Sequence, residues 1–146
     1  MKIFKFHESE NKTHWITEIR ECEWSAAKLL ADILEQNTFN DLLGGGELLV
    51  MADGDELVGF CTLTQNDCVK DDSLFPWIGF LFVNEGYRGH RYSQALVECA
   101  CSHAAEQDYD CVYIATDHIG LYEKYGFTYL ENRIDIYGDD SRIYYK

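Results

Sequence analysis

Apolar and polar residues change their spacing several times along this chain, and each change marks an element. The opening MKIFKF alternates with period two, as a half-buried strand does. From Thr13 to about Gln36 the spacing turns helical. Trp15, Ile16, Ile19 and Cys22 form one stripe, and Ala26, Leu29, Leu30, Ile33 and Leu34 form a second. Ser25 is placed to cap the second helix. LLGGGE, residues 42–47, breaks the pattern. ELLVMA and ELVGFCTL, joined by Asp53-Gly54-Asp55, predict a hairpin, because Asp-Gly suits the left-handed positions of a tight turn. LFPWIGFLFV, residues 74–83, predicts a third and deeply buried strand. From Tyr92 to Gln107 the apolar positions Tyr92, Ala95, Leu96, Cys99, Ala100 and Ala104 return to helical spacing, with His103 on the same face as a core or boundary residue. CVYIAT predicts a strand, GLYEKYGF a short helix stopped at Gly126, and FTYLE and RIYYK two last strands around a turn at YGDD.

The order is strand, two helices, three strands, helix, strand, helix, two strands. A buried strand that feeds a helix and then another strand predicts a parallel pair inside a mixed sheet. Nothing divides the chain: there is no linker, low-complexity tract or repeat, so residues 1–146 are expected to form one domain.

Composition narrows the class. The chain has 146 residues, 47% apolar and 14% aromatic, which suits a packed globule. No apolar run approaches the ~20 residues of a membrane helix. The N-terminus alternates instead of forming a signal-peptide core. No membrane partner is expected, and the cytoplasm is the default compartment. Six cysteines show neither a CxxC pair nor zinc spacing, so no metal is expected and the thiols read as reduced, mostly buried small hydrophobes. Twenty-six acidic residues against 12 basic ones give a net charge of −14. That charge repels phosphate backbones and excludes nucleic acid as a natural partner. It is compatible with a cationic substrate, and equally with plain solubility.

Against this background GYRGHRYSQALV, residues 86–97, contains no Asp or Glu and carries Arg88, His90 and Arg91. It joins a predicted strand to a predicted helix. A helix N-terminus presents unpaired N–H groups and about half a positive charge. The segment therefore reads as an anion-binding turn, the alternative being a loop that is merely basic. It is neither a P-loop nor a dinucleotide fingerprint, since both glycine patterns are missing.

The strand ending FLFV, the loop NEGYRGHRYS and the helix after it resemble the coenzyme A motif of the GCN5-related N-acetyltransferases, whose loop has the form R-x-x-G-x-G/A. Here the matching residues are Tyr87, Arg88 and Gly89, while Arg91 and Ser93 stand where many members have glycine. LYEKYGF, Leu121–Phe127, is similar to the family's second motif, FYEKLGF. Ala115 stands where many members have an Asn that helps hold the cofactor. The resemblance implies an α/β fold: one domain with a mixed, mostly antiparallel sheet, a splayed central parallel pair, and helices on both faces. It also implies acetyl-CoA as acyl donor. The donor would be held by the backbone of Leu81, Phe82 and Val83 and by Arg88, Gly89, His90, Arg91, Tyr92 and Ser93. Tyr122 would protonate the departing thiolate.

The implied acceptor is a primary amine of a small molecule or peptide, cationic by preference, and a homodimer is compatible with the pattern. Glu85, Asp117, His118 and Asp72 are the candidate bases, with nothing in the sequence to choose between them. Trp77 either lines an acceptor pocket or packs in the core. Two rivals remain: an acyl-CoA-binding module without catalysis, and an anion loop that serves nucleotides.

Overall fold

ELVGFCTLT is apolar enough on both faces that it needs cover from two sides. It forms β3 (Glu56–Thr64), in which every residue after Glu56 is buried. The computed structural model describes all 146 residues, Met1–Lys146. β2 (Gly46–Asp53) pairs with β3 as the predicted hairpin, and Gly54 at its tip has φ +60. β1 (Lys2–Lys5) extends the sheet beyond β2. On the other side lies β4 (Trp77–Val83), antiparallel to β3. β5 (Tyr113–Thr116) follows, then the antiparallel pair β6 (Thr128–Ile134) and β7 (Asp140–Tyr145). The seven strands run in the order β1-β2-β3-β4-β5-β7-β6, and β4–β5 is the parallel pair.

Helices cover both faces. α1 (Lys12–Arg20) and α2 (Ser25–Glu35) lie on one, where Trp15, Ile19, Ala27 and Leu30 pack against Leu48, Val50 and Phe60. α4 (Tyr92–Glu106) lies on the other, where Leu96, Val97, Ala100 and Ala104 pack against Leu49, Met51, Val58 and Cys61. Alternation along β2 and β3 sends neighbouring residues to opposite layers, so two cores flank one sheet. No helix is long and apolar enough to cross a membrane.

Several expectations need correction. Ser25 does not cap α2: Trp24, in extended conformation, holds the cap position, and Ser25 is already the first helical residue. A short helix, α3 (Phe39–Leu43), precedes the glycine run, and Gly44 ends it at φ +74. GLYEKYGF contributes only a 3-10 turn, Tyr122–Tyr125, closed by Gly126 at φ +90. The strand expected over 74–83 begins at Trp77 and buries only Trp77 and Ile78 completely, because its neighbour β5 departs. Of the six free thiols only Cys22 and Cys61 are buried; the others are half-buried. Trp77 is 1% exposed and packs in the core with Val69 and Ile143.

α4 is held on the sheet mainly by its apolar face, and Leu96 is fully buried there. Leu96→Ala removes that contact and leaves a cavity. We expect a loss of about 2–5 kcal/mol in urea unfolding.

Candidate active site

β4 and β5 share a single register position, Trp77 opposite Tyr113, braced by Tyr113 N–H donating to Pro76 O at 3.0 Å. Beyond it the strands part. The β5-facing edge of β4 then has no strand partner, so its backbone groups must find one elsewhere. On its other edge β4 carries a bulge. Phe60 pairs with Phe82 and Thr62 with Gly79, so two β4 residues oppose Cys61. Phe80 absorbs the extra residue at φ +45. Phe80 and Phe82 consequently pack with the α1/α2 core, while Leu81 and Val83 turn to the α4 core.

The chain leaves β4 through a loop fixed at its start. Asn84 N–H donates to Val58 O at 2.8 Å, and Asn84 Nδ2 donates to Leu57 O at 2.6 Å. A 3-10 turn, Glu85–Tyr87, follows, and Tyr87 OH donates to Glu56 Oε2 at 2.7 Å. Arg88 folds back on the strand: Nε donates to Val83 O at 3.0 Å, and its guanidinium lies 5.6 Å from the Phe82 ring centre. Gly89 has φ +87. His90 is exposed beside the Tyr92 ring, 5.5 Å between centres. Arg91 holds the N-cap of α4 at φ +63, a left-handed conformation that costs a non-glycine residue about 1–2 kcal/mol. It keeps the glycine geometry without the glycine and sets a cation at the helix start. No acidic residue occupies the first turn of α4, and neither Arg91 nor another side chain caps it. Its N–H groups face outward unopposed.

Tyr122 stands on the α4 side of the sheet, 6% exposed, among Leu96, Ile114, Phe127 and Tyr144. Burial above all, then the neighbouring Tyr125, Cys61 and Asp117, pushes its phenol up to about 12. The next turn is tied to the start of α4, since Ser93 Oγ and Tyr125 OH lie 2.9 Å apart. This bond joins the first turn of α4 to the 3-10 turn after β5, the two segments that the parting strands would otherwise leave separate. The residues expected at the site therefore fall into one region: Leu81, Phe82 and Val83 on β4, residues 88–93 on the loop and first turn, and Tyr122 just behind.

The sequence profile described as "Acetyltransferase (GNAT) family" matches residues 12–127, most of the chain. This protein belongs to the GNAT acetyltransferase family. Solved structures share its fold. A GNAT-family protein from Desulfovibrio desulfuricans, described as a putative acetyltransferase, is 12% identical and superposes with a TM-score of 0.73 over 99% of this chain and 97% of its own. The aminoglycoside 6'-N-acetyltransferase from Enterococcus faecium is 15% identical, with a TM-score of 0.74 over 100% and 96%. A GNAT acetyltransferase from Elizabethkingia anophelis with acetyl-CoA bound is 19% identical, with a TM-score of 0.59 over 75% and 81%. No curated protein matches the sequence.

Within this GNAT domain, sequence reasoning missed the bulge at Phe80 and the partner of Ser93. Neither had a local signal. A bulge depends on how two strands are paired, and the Ser93–Tyr125 bond spans 32 residues. The four candidate bases, Asp72, Glu85, Asp117 and His118, are all exposed, and none is held in a desolvated position.

The strain at Arg91 can be measured. Arg91→Gly is expected to stabilise the fold by up to about 1 kcal/mol in urea unfolding, by relieving the left-handed conformation. Unchanged or lower stability would mean that the Arg91 side chain is tied down by contacts worth more than the strain.

Proposed function

We propose that this GNAT protein is an acetyl-CoA-dependent N-acetyltransferase that moves the acetyl group to a primary amine of a small molecule or peptide, by direct attack in a ternary complex. The observation that carries the reading is the gap between β4 and β5, opening beside the unopposed N-terminus of α4. An extended thioester arm can pair with the free edge of β4 as an added strand would. Its pyrophosphate then meets the N–H groups of α4 together with Arg91, His90 and the free face of Arg88. The related structures described with coenzyme A or acetyl-CoA bound support the same donor.

The chemistry makes three demands. The thioester carbonyl needs donors where its oxygen becomes negative, and backbone N–H groups around Leu81–Val83 supply them; such donors are worth about 3–4 kcal/mol. The leaving thiolate needs a proton, and Tyr122 supplies it. At about 12 the phenol is a weak acid, yet burial acts on thiols as well. The same desolvation pushes Cys22 up to about 11 and drives Cys61, a neighbour of Tyr122, higher still. A coenzyme thiolate in those surroundings becomes basic enough to take the phenol proton. The third demand is a neutral amine. An amine with a pKa near that of lysine is neutral in only about one molecule in a thousand near pH 7, a cost of about 4 kcal/mol that a base must offset.

Direct transfer fits the cysteines. Burial raises Cys22, Cys61, Cys68, Cys99 and Cys101 above the ordinary thiol range, which leaves them poor nucleophiles for an acyl-enzyme.

Calorimetry with acetyl-CoA and thiol release across an amine panel test the reading together. Tyr122→Phe is expected to keep acetyl-CoA affinity and lower kcat by roughly 100-fold or more. Unchanged turnover removes Tyr122 as the acid. Binding of acetyl-CoA with no turnover on any amine would instead make the chain a non-catalytic acyl-CoA-binding module.

A further inference from the structure

On the sheet face opposite α4, the bulged segment of β4 forms one wall of a pocket of ≈ 340 Å³. Its walls are apolar: Trp24, Leu29 and Ile33 from the α2 side, Leu42 from α3, Phe80 from β4, and Ile136 beyond β6. Leu29, Leu42 and Ile136 are 43%, 58% and 52% exposed, so the pocket opens outward through an apolar rim. The size suits a small ligand with an apolar body. One carboxylate lines it, Asp67, from the loop after β3.

Asp67 reaches β4 because residue 79 is glycine. A Cβ at Gly79 would lie 2.2 Å from Asp67 Oδ1 and 3.2 Å from Thr62 Oγ1, so any side chain there would expel the carboxyl. Thr62 is fully buried, and its Oγ1 has no hydrogen-bond partner. A buried hydroxyl without a partner is costly and points to a missing one. A carboxylate and an unpartnered hydroxyl thus flank Gly79, one residue from the bulge, at the end of an apolar pocket. Neither has a cation: Arg133, which approaches this loop, is engaged with Asp71 at 2.9 Å and with Glu131 at 3.2 Å.

We propose that Asp67 binds the acceptor ammonium and serves as its general base, and that the acceptor is a primary amine on an apolar, aryl or alkyl, body. This rests on the acetyltransferase reading. Asp67 takes one ammonium proton and becomes a neutral carboxylic acid. The freed nitrogen lone pair attacks the thioester carbon and forms the C–N bond. The C–S bond breaks with its electron pair going to sulfur. The thiolate takes the Tyr122 proton, and the second proton that nitrogen sheds passes to the resulting phenolate and restores the phenol. The three ammonium hydrogens end on the amide nitrogen, on the coenzyme thiol and, through Asp67, in solvent.

The surroundings of Asp67 suit this role. Burial raises it above the ordinary carboxylate range, partly offset by hydrogen bonds from Cys68. A half-buried carboxylate with no ion-pair partner attracts a proton and an ammonium more strongly than a fully solvated one does. The other charged or titratable groups facing it are Cys68, Lys70, Asp71 and Asp72 of its own loop and Tyr137 of the pocket wall beyond β6, with Arg133 bound to Asp71 and Asp135 acting on Cys68. The α2 and α3 walls of the apolar pocket contribute no charge.

The test uses the full chain, saturating acetyl-CoA and three probes: 2-phenylethylamine, spermidine and 4-methylaniline, the last already neutral near pH 7. Wild type is expected to favour 2-phenylethylamine over spermidine by about tenfold or more in kcat/KM. Asp67→Asn should lower kcat/KM for 2-phenylethylamine by about 100-fold, remove the acidic limb of its pH profile, and stay within about threefold on 4-methylaniline, with acetyl-CoA affinity unchanged. An equal loss on all three amines, no loss on 2-phenylethylamine, or a preference for spermidine overturns the proposal. If asparagine at 67 prevents folding, Leu42→Glu on the exposed rim decides. It should raise the 2-phenylethylamine KM about tenfold, and an unchanged KM overturns the apolar acceptor. Failure of the wild-type chain to bind acetyl-CoA removes the acetyltransferase reading and this inference with it, a result distinct from failure of Asp67 alone.

Discussion

Two parallel strands that meet at one residue pair and then separate govern this molecule. Trp77 and Tyr113 hold β4 and β5 together at the base of the sheet, and beyond them the ladder stops. A sheet interior normally pairs every backbone group, because an unpaired N–H away from water is costly. Here the central strand keeps one edge open in the middle of the fold. The two cores on either face allow it. β3 is buried throughout and carries the load between α1/α2 and α4, so β4 can leave β5 without opening the domain.

The rest of the site is arranged around that opening. α4 starts at its mouth with no acid in the first turn, although the chain as a whole carries −14. The local positive end of the helix and the two arginines work against the field of the whole protein, and proximity decides the contest, since exposed charges beyond about 8–10 Å are largely screened. The Ser93–Tyr125 bond ties this helix start to the turn that carries Tyr122, so the loop after β4 and the proposed proton donor keep a fixed relation. The bulge at Phe80 reverses the facing of β4 side chains at the same level. Gly79, still in register with Thr62, faces Asp67 just before the irregularity, which puts Phe80 on the α1/α2 side while Leu81 and Val83 return to the α4 core.

Much of this was legible in the sequence, where a local pattern carries the information. The β2–β3 hairpin followed from Asp-Gly between apolar runs, α4 from its 3.6-residue spacing, and its acid-free start from the segment 86–97. The parallel pair followed from the strand-helix-strand order, and the family resemblance added its splay and the role proposed for Tyr122. What stayed hidden depends on distant parts of the chain meeting. Arg91 offers no hint in sequence that it will adopt φ +63, and Asp67 looks like one more acid in a run of surface acids. Only the pairing of Thr62 with Gly79 makes room for its carboxyl. Ser25 misled because the chain enters α2 one residue earlier, with Trp24 packed against Phe60 and Phe82 at the cap position.

The open edge of β4 is most directly tested by amide hydrogen exchange, residue by residue, with and without acetyl-CoA. The account predicts that acetyl-CoA slows exchange at amides within Gly79–Val83 and in the first turn of α4, while amides in the β2–β3 ladder change little. Amides of 79–83 that do not donate to β3, if already fully protected without ligand or unaltered by saturating acetyl-CoA, would contradict it.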